Sequence, residues 1–320
     1  MAGAGISVII PTFDRREMVL RAIASVVDQT HPPAEILVVD DGSTDGTAEA
    51  VAERFGSEVR LLRQPNRGPS GARNLAAAQA RGDVLAFLDS DDRWLPHHLE
   101  VVGELAARRP EAVIVCTELG YRRGSDQVDS VRLFDLARPM LLGRVWIGHT
   151  SAVSVRRDAF LRVGGFDVGL RHSEDVDLYI RLAIEGPVAM IAATTTEHNV
   201  SPDSLRAEGC RTGGHLAAIG RSAENAMALL NRCRRPDVAD LRNYCVARHA
   251  IGEALAAVAR SDPPMVVRRP LFRACSLALD SALSLQLVLS HAWVIPGWER
   301  PERRAEIERV LRQAWPDPVR

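Results

Sequence analysis

Three short apolar runs, Ile6 to Ile10, Ile36 to Val39 and Val84 to Leu88, together with a further strand expected at Val59 to Leu62, alternate with stretches of helical period through the start of the chain. Val19, Leu20, Ile23, Val26 and Val27 recur at helical spacing between Glu17 and Val27. A second helix is expected from about Thr47 to Phe55, and an alanine-rich third from Gly71 to Ala80. Uninterrupted apolar runs are the mark of strands buried on both faces, and their alternation with helices requires a parallel sheet joined by right-handed crossovers. Ligands of such sheets bind beyond the carboxyl ends of the strands. Pro11-Thr12-Phe13-Asp14, Asp40-Asp41, Asn66-Arg67-Gly68 and Asp89-Ser90-Asp91 all fall at or just past those ends.

The run from Gly82 to Pro96, GDVLAFLDSDDRWLP, changes abruptly from buried strand to acid at Asp89, Asp91 and Asp92. Three carboxylates at a strand end repel one another unless a cation lies between them. Asp89 and Asp91, flanking Ser90, offer hard oxygen ligands suited to Mg²⁺ or Mn²⁺, and the alternative is an acidic turn that caps the next helix.

The Asp40-Asp41-Gly42-Ser43 turn can accept hydrogen bonds from a base or ribose, or close an Asx-type cap through Asp45, and both uses are expected. PTFDR after the first strand lacks the glycines of a dinucleotide fingerprint, which disfavours nicotinamide chemistry. In Asn66 to Asn74, Arg67 and Arg73 can neutralise a diphosphate or meet a base edge, while Gly68 and Gly71 permit close approach. His172-Ser173-Glu174-Asp175-Val176-Asp177 opens another helix, where carboxylates either cap the helix or supply a general base. Asp175 is the residue assigned as base, with Glu174 holding a neighbouring loop or the acceptor. His198 is a third metal ligand, a diphosphate contact or a loop histidine. Trp94, Trp146 and His149 are candidates to face a sugar, or, for the tryptophans, core.

Charge is balanced, 40 basic against 41 acidic residues, which argues neither for a nucleic-acid binder nor for a disordered chain, and no nucleic-acid partner is expected. Five scattered cysteines fit neither a disulfide scaffold nor a zinc site and imply a reducing, cytoplasmic setting. No secretion signal is recognisable at MAGAGISVIIP, and Ala274 to Pro296 is interrupted by Asp280, Gln286 and His291. Further strands are expected at Ala112 to Cys116, Thr150 to Val155 and Val188 to Ala192, and a polar hairpin or loop at Tyr121 to Asp129. Beyond about Ser204 the pattern is helical, ending in an amphipathic helix from Arg303 to Trp315. The domains expected are therefore residues 1–203, catalytic, and 204–320, a helical extension.

VIIPTFDR, QTHPPAEILVVDDGSTDGT, NRGPSGARN, GDVLAFLDSDD, the Gly164-Gly165-Phe166-Asp167 turn and EDVDLYIRL, in that order, resemble the family 2 glycosyltransferases. The resemblance covers roughly residues 5–200. It implies the α/β GT-A fold, a mostly parallel Rossmann-like sheet with helices on both faces, here followed by a C-terminal helical region. It implies that Pro11, Phe13 and Asp41 line the pocket for the nucleotide base, typically uracil, with Arg73 beside it. Asp89 and Asp91 would form the D-x-D element that holds Mn²⁺ or Mg²⁺, with His198 facing the metal, and Asp175 would be the base of an inverting transfer. The Q-x-x-R-W element of processive synthases is absent, so transfer of one sugar per encounter is expected.

The expected partners are a nucleotide-sugar donor and a hydroxyl-bearing glycan, glycolipid or small-molecule acceptor, in surface polysaccharide or other glycoconjugate synthesis. The C-terminal helices are ordinary core, a peripheral contact at the inner face of a membrane, or a homodimer interface. A nucleotidyltransferase is disfavoured by PTFDR. A catalytically inactive nucleotide-sugar or glycan-binding protein of the same fold is the alternative function.

Overall fold

The computed structural model describes residues 5–117, 132–135, 137, 140, 147–191, 193–199, 205–232, 241–277, 288, 292, 295, 298 and 300–314, with main chain only at 132, 133, 206, 207, 210 and 275–277. Trp146, His291, Asp280 and the Tyr121 to Asp129 segment lie outside the described residues. The chain divides into two compact units. The first comprises residues 1–135, 147–169 and 185–200, and the second 136–146, 170–184 and 201–320.

The first unit holds an eight-stranded sheet. Its strands are β1 (Ile6–Thr12), β2 (Glu35–Asp40), β3 (Arg60–Arg63), β4 (Val84–Phe87), β6 (Ile114–Thr117), β7 (Arg132–Phe134), β8 (Val153–Arg156) and β9 (Val188–Ile191), in the order β3-β2-β1-β4-β8-β6-β9-β7. β5 (Arg93–Trp94) and β10 (Thr196–Glu197) form a separate antiparallel pair. The first four strands are parallel, as their helical connections demand: α1 (Arg16–Val27), α2 (Thr47–Phe55) and α3 (Gly68–Gln79) each return the chain to the same edge. Ile10 pairs with Val38, and Val8 with Ala86. These positions are buried on both faces, which is why the runs contain no polar alternation.

The other half of the sheet is mixed. β8 runs antiparallel between β4 and β6, while β6 and β9 are parallel and β7 closes the edge antiparallel. α4 (His98–Arg108) and α5 (Arg157–Val163) complete the first unit. The strand expected over Thr150 to Val155 begins only at Val153, because Thr150–Ala152 forms a 3₁₀ turn. That turn directs Ser151 away from sheet pairing and into polar contacts at the strand ends.

The second unit is helical. α6 (Glu174–Glu185) runs into it from the EDVDLYIR sequence, its last residue falling in the first unit, and α7 (Leu205–Thr212), α8 (Gly214–Arg232), α9 (Leu241–Ala259), α10 (Pro264–Leu277) and α11 (Pro301–Ala314) follow. Asp177 is fully buried and accepts from Arg181 Nε at 2.9 Å and from Asn225 Nδ2 at 2.9 Å. Arg248 Nε donates to Ser222 Oγ at 2.8 Å. Burial pushes the Arg248 guanidinium down to about 10, against the opposing influence of the Asp177 charge. Buried charges persist only when paired in this way, and here the pairing ties α6 to α8 and α9.

Candidate active site at the strand ends

Asp89 follows β4 directly, and a tight turn returns Asp92 N–H to the Asp89 carbonyl at 3.0 Å. All three carboxylates of DSDD thereby stay at the carboxyl edge of the sheet, each with a different partner. Asp89 Oδ1 accepts from Arg73 at 2.5 Å, and the same guanidinium lies 5.1 Å from the centroid of the Phe166 ring. Asp91 Oδ2 pairs with Arg15 at 2.7 Å. Burial and then the Asp89 charge push the Asp91 carboxyl above its usual range, with Arg15 offsetting part of that rise. Ser90, between them, is buried.

Asp92 is the most enclosed of the three. Its Oδ1 accepts from His198 Nδ1 at 2.9 Å and from Asn199 N–H at 3.0 Å; its Oδ2 accepts from Ser151 Oγ at 2.5 Å and stands 3.3 Å from His149 Nδ1. Burial alone would raise this carboxyl, but the donors His149, His198 and Ser151 outweigh it and hold it far below the carboxylate range. Ser151 in turn accepts from Asp89 N–H at 3.0 Å, so one hydroxyl links both acids.

His149 Nε2 lies 3.6 Å from Asp89 Oδ2, and the His149 and His198 rings are 4.1 Å apart. Ligand atoms of Asp92, His149 and His198 all lie within 4.8 Å of one another, a set that can hold a divalent cation. Because an ionised carboxylate only accepts, His198 must carry its proton on Nδ1, which leaves the Nε2 lone pair for a metal. One carboxylate with two imidazoles suits Mn²⁺ better than Mg²⁺, which prefers an all-oxygen shell. His198, expected as a metal ligand, a diphosphate contact or a loop histidine, and Asp92, one of the crowded acids, stand here beside His149, which was expected among the sugar-facing residues.

Trp94 does not face the cleft. It is buried, stacked on His98 at 4.0 Å, and its indole N–H donates to the Ser151 carbonyl at 2.8 Å, which helps set the 3₁₀ turn.

At the end of β2 the two aspartates divide the expected uses. Asp40 Oδ1 accepts from Ser43 N–H at 2.9 Å and Asp45 Oδ1 accepts from Thr47 N–H at 3.0 Å, so these two close the turn. Gly42 sits at φ +89°, where a Cβ would stand 3.1 Å from Asn66 N. Asp41 is buried and accepts from Gln64 Nε2 at 2.6 Å and from Arg67 N–H at 2.9 Å. Asp41 therefore joins the second strand end to the glycine loop, with the Arg67 side chain exposed. Pro11 lies within β1, and Phe13, just beyond it, is 44% exposed. A large aromatic left open beside a buried acid is a surface on which a planar base can stack.

Gly165, in the GGFD turn, adopts φ +68° and a Cβ there would meet Asn74 Oδ1 at 2.5 Å. Asn74 holds that turn from α3 by accepting Phe166 N–H at 2.9 Å and donating to the Phe166 carbonyl at 2.8 Å. Phe166 is thereby set under Arg73.

Glu174 and Asp175 open α6 in the second unit, each half-buried. Asp175 Oδ1 accepts from Val176 N–H at 2.8 Å. The remaining sequence-assigned site residues belong to the first unit.

Residues 7–164 match the family described as Glycosyl transferase family 2. An uncharacterized glycosyltransferase of Nostoc sp. is 36% identical over 174 residues, 51% of this chain and 54% of that relative, so the alignment spans about half the length of each. Among solved structures, residues 1–349 of S. aureus TarS superpose with a TM-score of 0.63 at 17% identity, covering 97% of this chain and 90% of that one. The mannosyltransferase PcManGT of Pyrobaculum calidifontis, in complex with GDP-Man and Mn²⁺, gives a TM-score of 0.52 at 20% identity over 98% of this chain and 86% of that one. The family match over residues 7–164 falls on this strand-and-helix scaffold, and the chain belongs to glycosyl transferase family 2, with the GT-A fold.

Proposed function

We propose that this chain transfers one sugar from a nucleoside-diphosphate donor, with UDP favoured, to a hydroxyl acceptor, inverting the anomeric centre. The observation that carries this reading is the convergence, at one sheet edge, of Asp92, His149 and His198 with Asp89 and Asp91. Phe13 and Asp41 would receive the base, and Arg67 and Arg73 would balance diphosphate charge. Asp89, Asp91, Asp92, His149 and His198 would hold a divalent cation, Mn²⁺ before Mg²⁺. When bound, that cation stabilises negative charge on a departing diphosphate. Asp175 would take the proton of the acceptor hydroxyl as its oxygen bonds to the anomeric carbon, while the bond from that carbon to the diphosphate oxygen breaks and the electron pair leaves with the nucleoside diphosphate. Glu174 would hold the acceptor. Residues 1–203 would form the catalytic part and 204–320 its helical extension.

TarS has also been solved in complex with UDP, with a TM-score of 0.60 to this chain, whereas the PcManGT complex holds GDP-Man, so the uridine preference leans on the resemblance around Phe13 and Asp41. Calorimetry of a panel of nucleoside diphosphates and their sugar conjugates, each with Mn²⁺ and with chelator, tests the reading. Binding of UDP or a UDP-sugar that chelator abolishes is the expected result, and metal-independent or absent binding removes it. Binding with no release of nucleoside diphosphate in the presence of glycan acceptors would favour an inactive, sugar-nucleotide-binding protein instead.

A further inference from the structure

Helix α10 (Pro264–Leu277) differs from the rest of the chain in charge and in what it exposes. Between Asp262 and Asp280 no acidic residue occurs, while Arg268, Arg269 and Arg273 do, giving this stretch a charge of +3 in a chain whose total is -1. Among the described residues, few large apolar side chains are exposed, yet three of them fall here: Met265 is 84%, Phe272 63% and Val266 50% exposed. The two kinds of residue share a face. Met265, Arg268, Arg269, Phe272 and Arg273 follow i, i+3, i+4, i+7, i+8 spacing and are all exposed, whereas Val267, Leu271 and Ala274 are buried on the opposite side, where the helix packs against α9. The outward face is thus mixed, with apolar tips set among guanidinium groups over about 12 Å of helix.

Water is a poor environment for Met265 and Phe272, and the stretch from Pro263 to Leu279 carries no acidic residue of its own. We propose that this face docks on an anionic lipid bilayer. Guanidinium groups pair with lipid phosphates through planar, two-point hydrogen bonds, and the apolar side chains between them enter the boundary of the acyl region. An acidic peptide would answer the charge alone and leave Met265 and Phe272 in water, whereas a bilayer meets both. Docking would be peripheral: among the described residues no helix is long and apolar enough to cross a membrane. The proposal concerns the surface of α10 and stands apart from the chemistry at the strand ends.

The test is co-sedimentation of the full chain with vesicles of phosphatidylcholine alone or with phosphatidylglycerol added, at low and high salt, without donor or metal. Binding is expected only to the phosphatidylglycerol vesicles and should weaken with salt. Each arginine near an anionic surface contributes about fivefold to partitioning, so the double variant R268E/R269E should lose at least about 25-fold. Met265→Ser with Phe272→Ser should also weaken binding while leaving the salt dependence in place. All four positions are exposed, so circular dichroism of the variants should match the parent chain. Equal binding to both vesicle types, or unchanged binding of the charge variant, overturns the proposal. So does concentration-dependent self-association in analytical ultracentrifugation that these same substitutions abolish, since a second copy would then be the occupant.

Discussion

His198 Nδ1 lies 2.9 Å from Asp92 Oδ1, joining residues 106 positions apart into a part-buried pair that aims the imidazole Nε2 away from the acid. Asp92 itself is 1% exposed and has its two oxygens occupied by four polar groups. It is therefore both a support for the histidines and part of the candidate cation set.

Replacing Asp92 with Ala should be costly twice over. Removing one partner of a buried charged network leaves Ser151 and two histidines without their acceptor, a loss of about 3 kcal/mol or more. A fall of that order in the denaturant unfolding free energy is expected, together with loss of Mn²⁺ binding. Asp92→Asn keeps the volume but cannot accept on both sides, so it should recover part of the stability and little of the metal affinity. Unchanged Mn²⁺ binding in D92A would remove Asp92 from the cation set and leave Asp89, Asp91, His149 and His198.

Arg73 separates charge from shape. Its guanidinium is buried between Asp89 and the Phe166 ring. Arg73→Ala leaves Asp89 uncompensated in a crowded acid cluster and should destabilise by about 3 kcal/mol. Arg73→Lys keeps the charge but loses the planar fork and its stacking, a cost of about 1 kcal/mol. Denaturation midpoints in the order parent, lysine, alanine are expected, and identical midpoints for the two variants would show that the charge contributes nothing.

The first half of this fold was legible because β1, β2 and β4 announce themselves by mainly apolar runs and helix-length connections separate the parallel strands, so direction follows from connectivity. In the second half the expected strands are present as Ile114–Thr117, Val153–Arg156 and Val188–Ile191, but their directions were not legible, because each depends on which neighbour the strand meets. Similarly, the crowding of DSDD could be read as a demand for positive partners. Their assignment to Arg73, Arg15 and the histidine pair could not, since His149 and Arg15 reach the site from unrelated turns. Trp94 carried two readings, sugar contact or core, and the second holds, through the His98 ring and the Ser151 carbonyl.

His98 gives the fold an acid sensitivity that does not involve the candidate metal site. It is buried beneath Trp94, with Nδ1 2.8 Å from Thr195 Oγ1 and Nε2 without a partner among the described residues. Burial, with a smaller contribution from the His97 charge, pushes its pKa down to about 3. The unfolded chain takes up this proton near pH 6.5 and the folded chain does not, so the unfolded state binds more protons between those values. Stability contributed by neutral His98 is complete above about pH 6.5 and is lost on acidification toward pH 3, by at most about 1.4 kcal/mol per pH unit. In His98→Phe, which can keep the stack on Trp94, the slope of unfolding free energy against pH should be shallower by about one proton through this window. Parallel slopes for parent and variant would mean that His98 is protonated in the folded protein.

Asp175 is the test of chemistry as distinct from donor binding. It sits two residues before Asp177, whose bonds to Arg181 and Asn225 hold the start of α6. Asp175→Asn preserves the size of the side chain and removes only its capacity to take a proton. If Asp175 is the base, the turnover number should fall by at least about 100-fold, the usual scale of general-base catalysis, while calorimetric affinity for the nucleoside diphosphate with Mn²⁺ is unchanged. Asn225→Ala supplies the comparison, because it strips one hydrogen bond from buried Asp177 and should cost about 1–3 kcal/mol of stability. Loss of turnover in D175N with an unshifted unfolding midpoint would assign the effect to proton transfer. Near-normal turnover in D175N would exclude Asp175 and move the role to Glu174, the other half-buried carboxylate of that first turn.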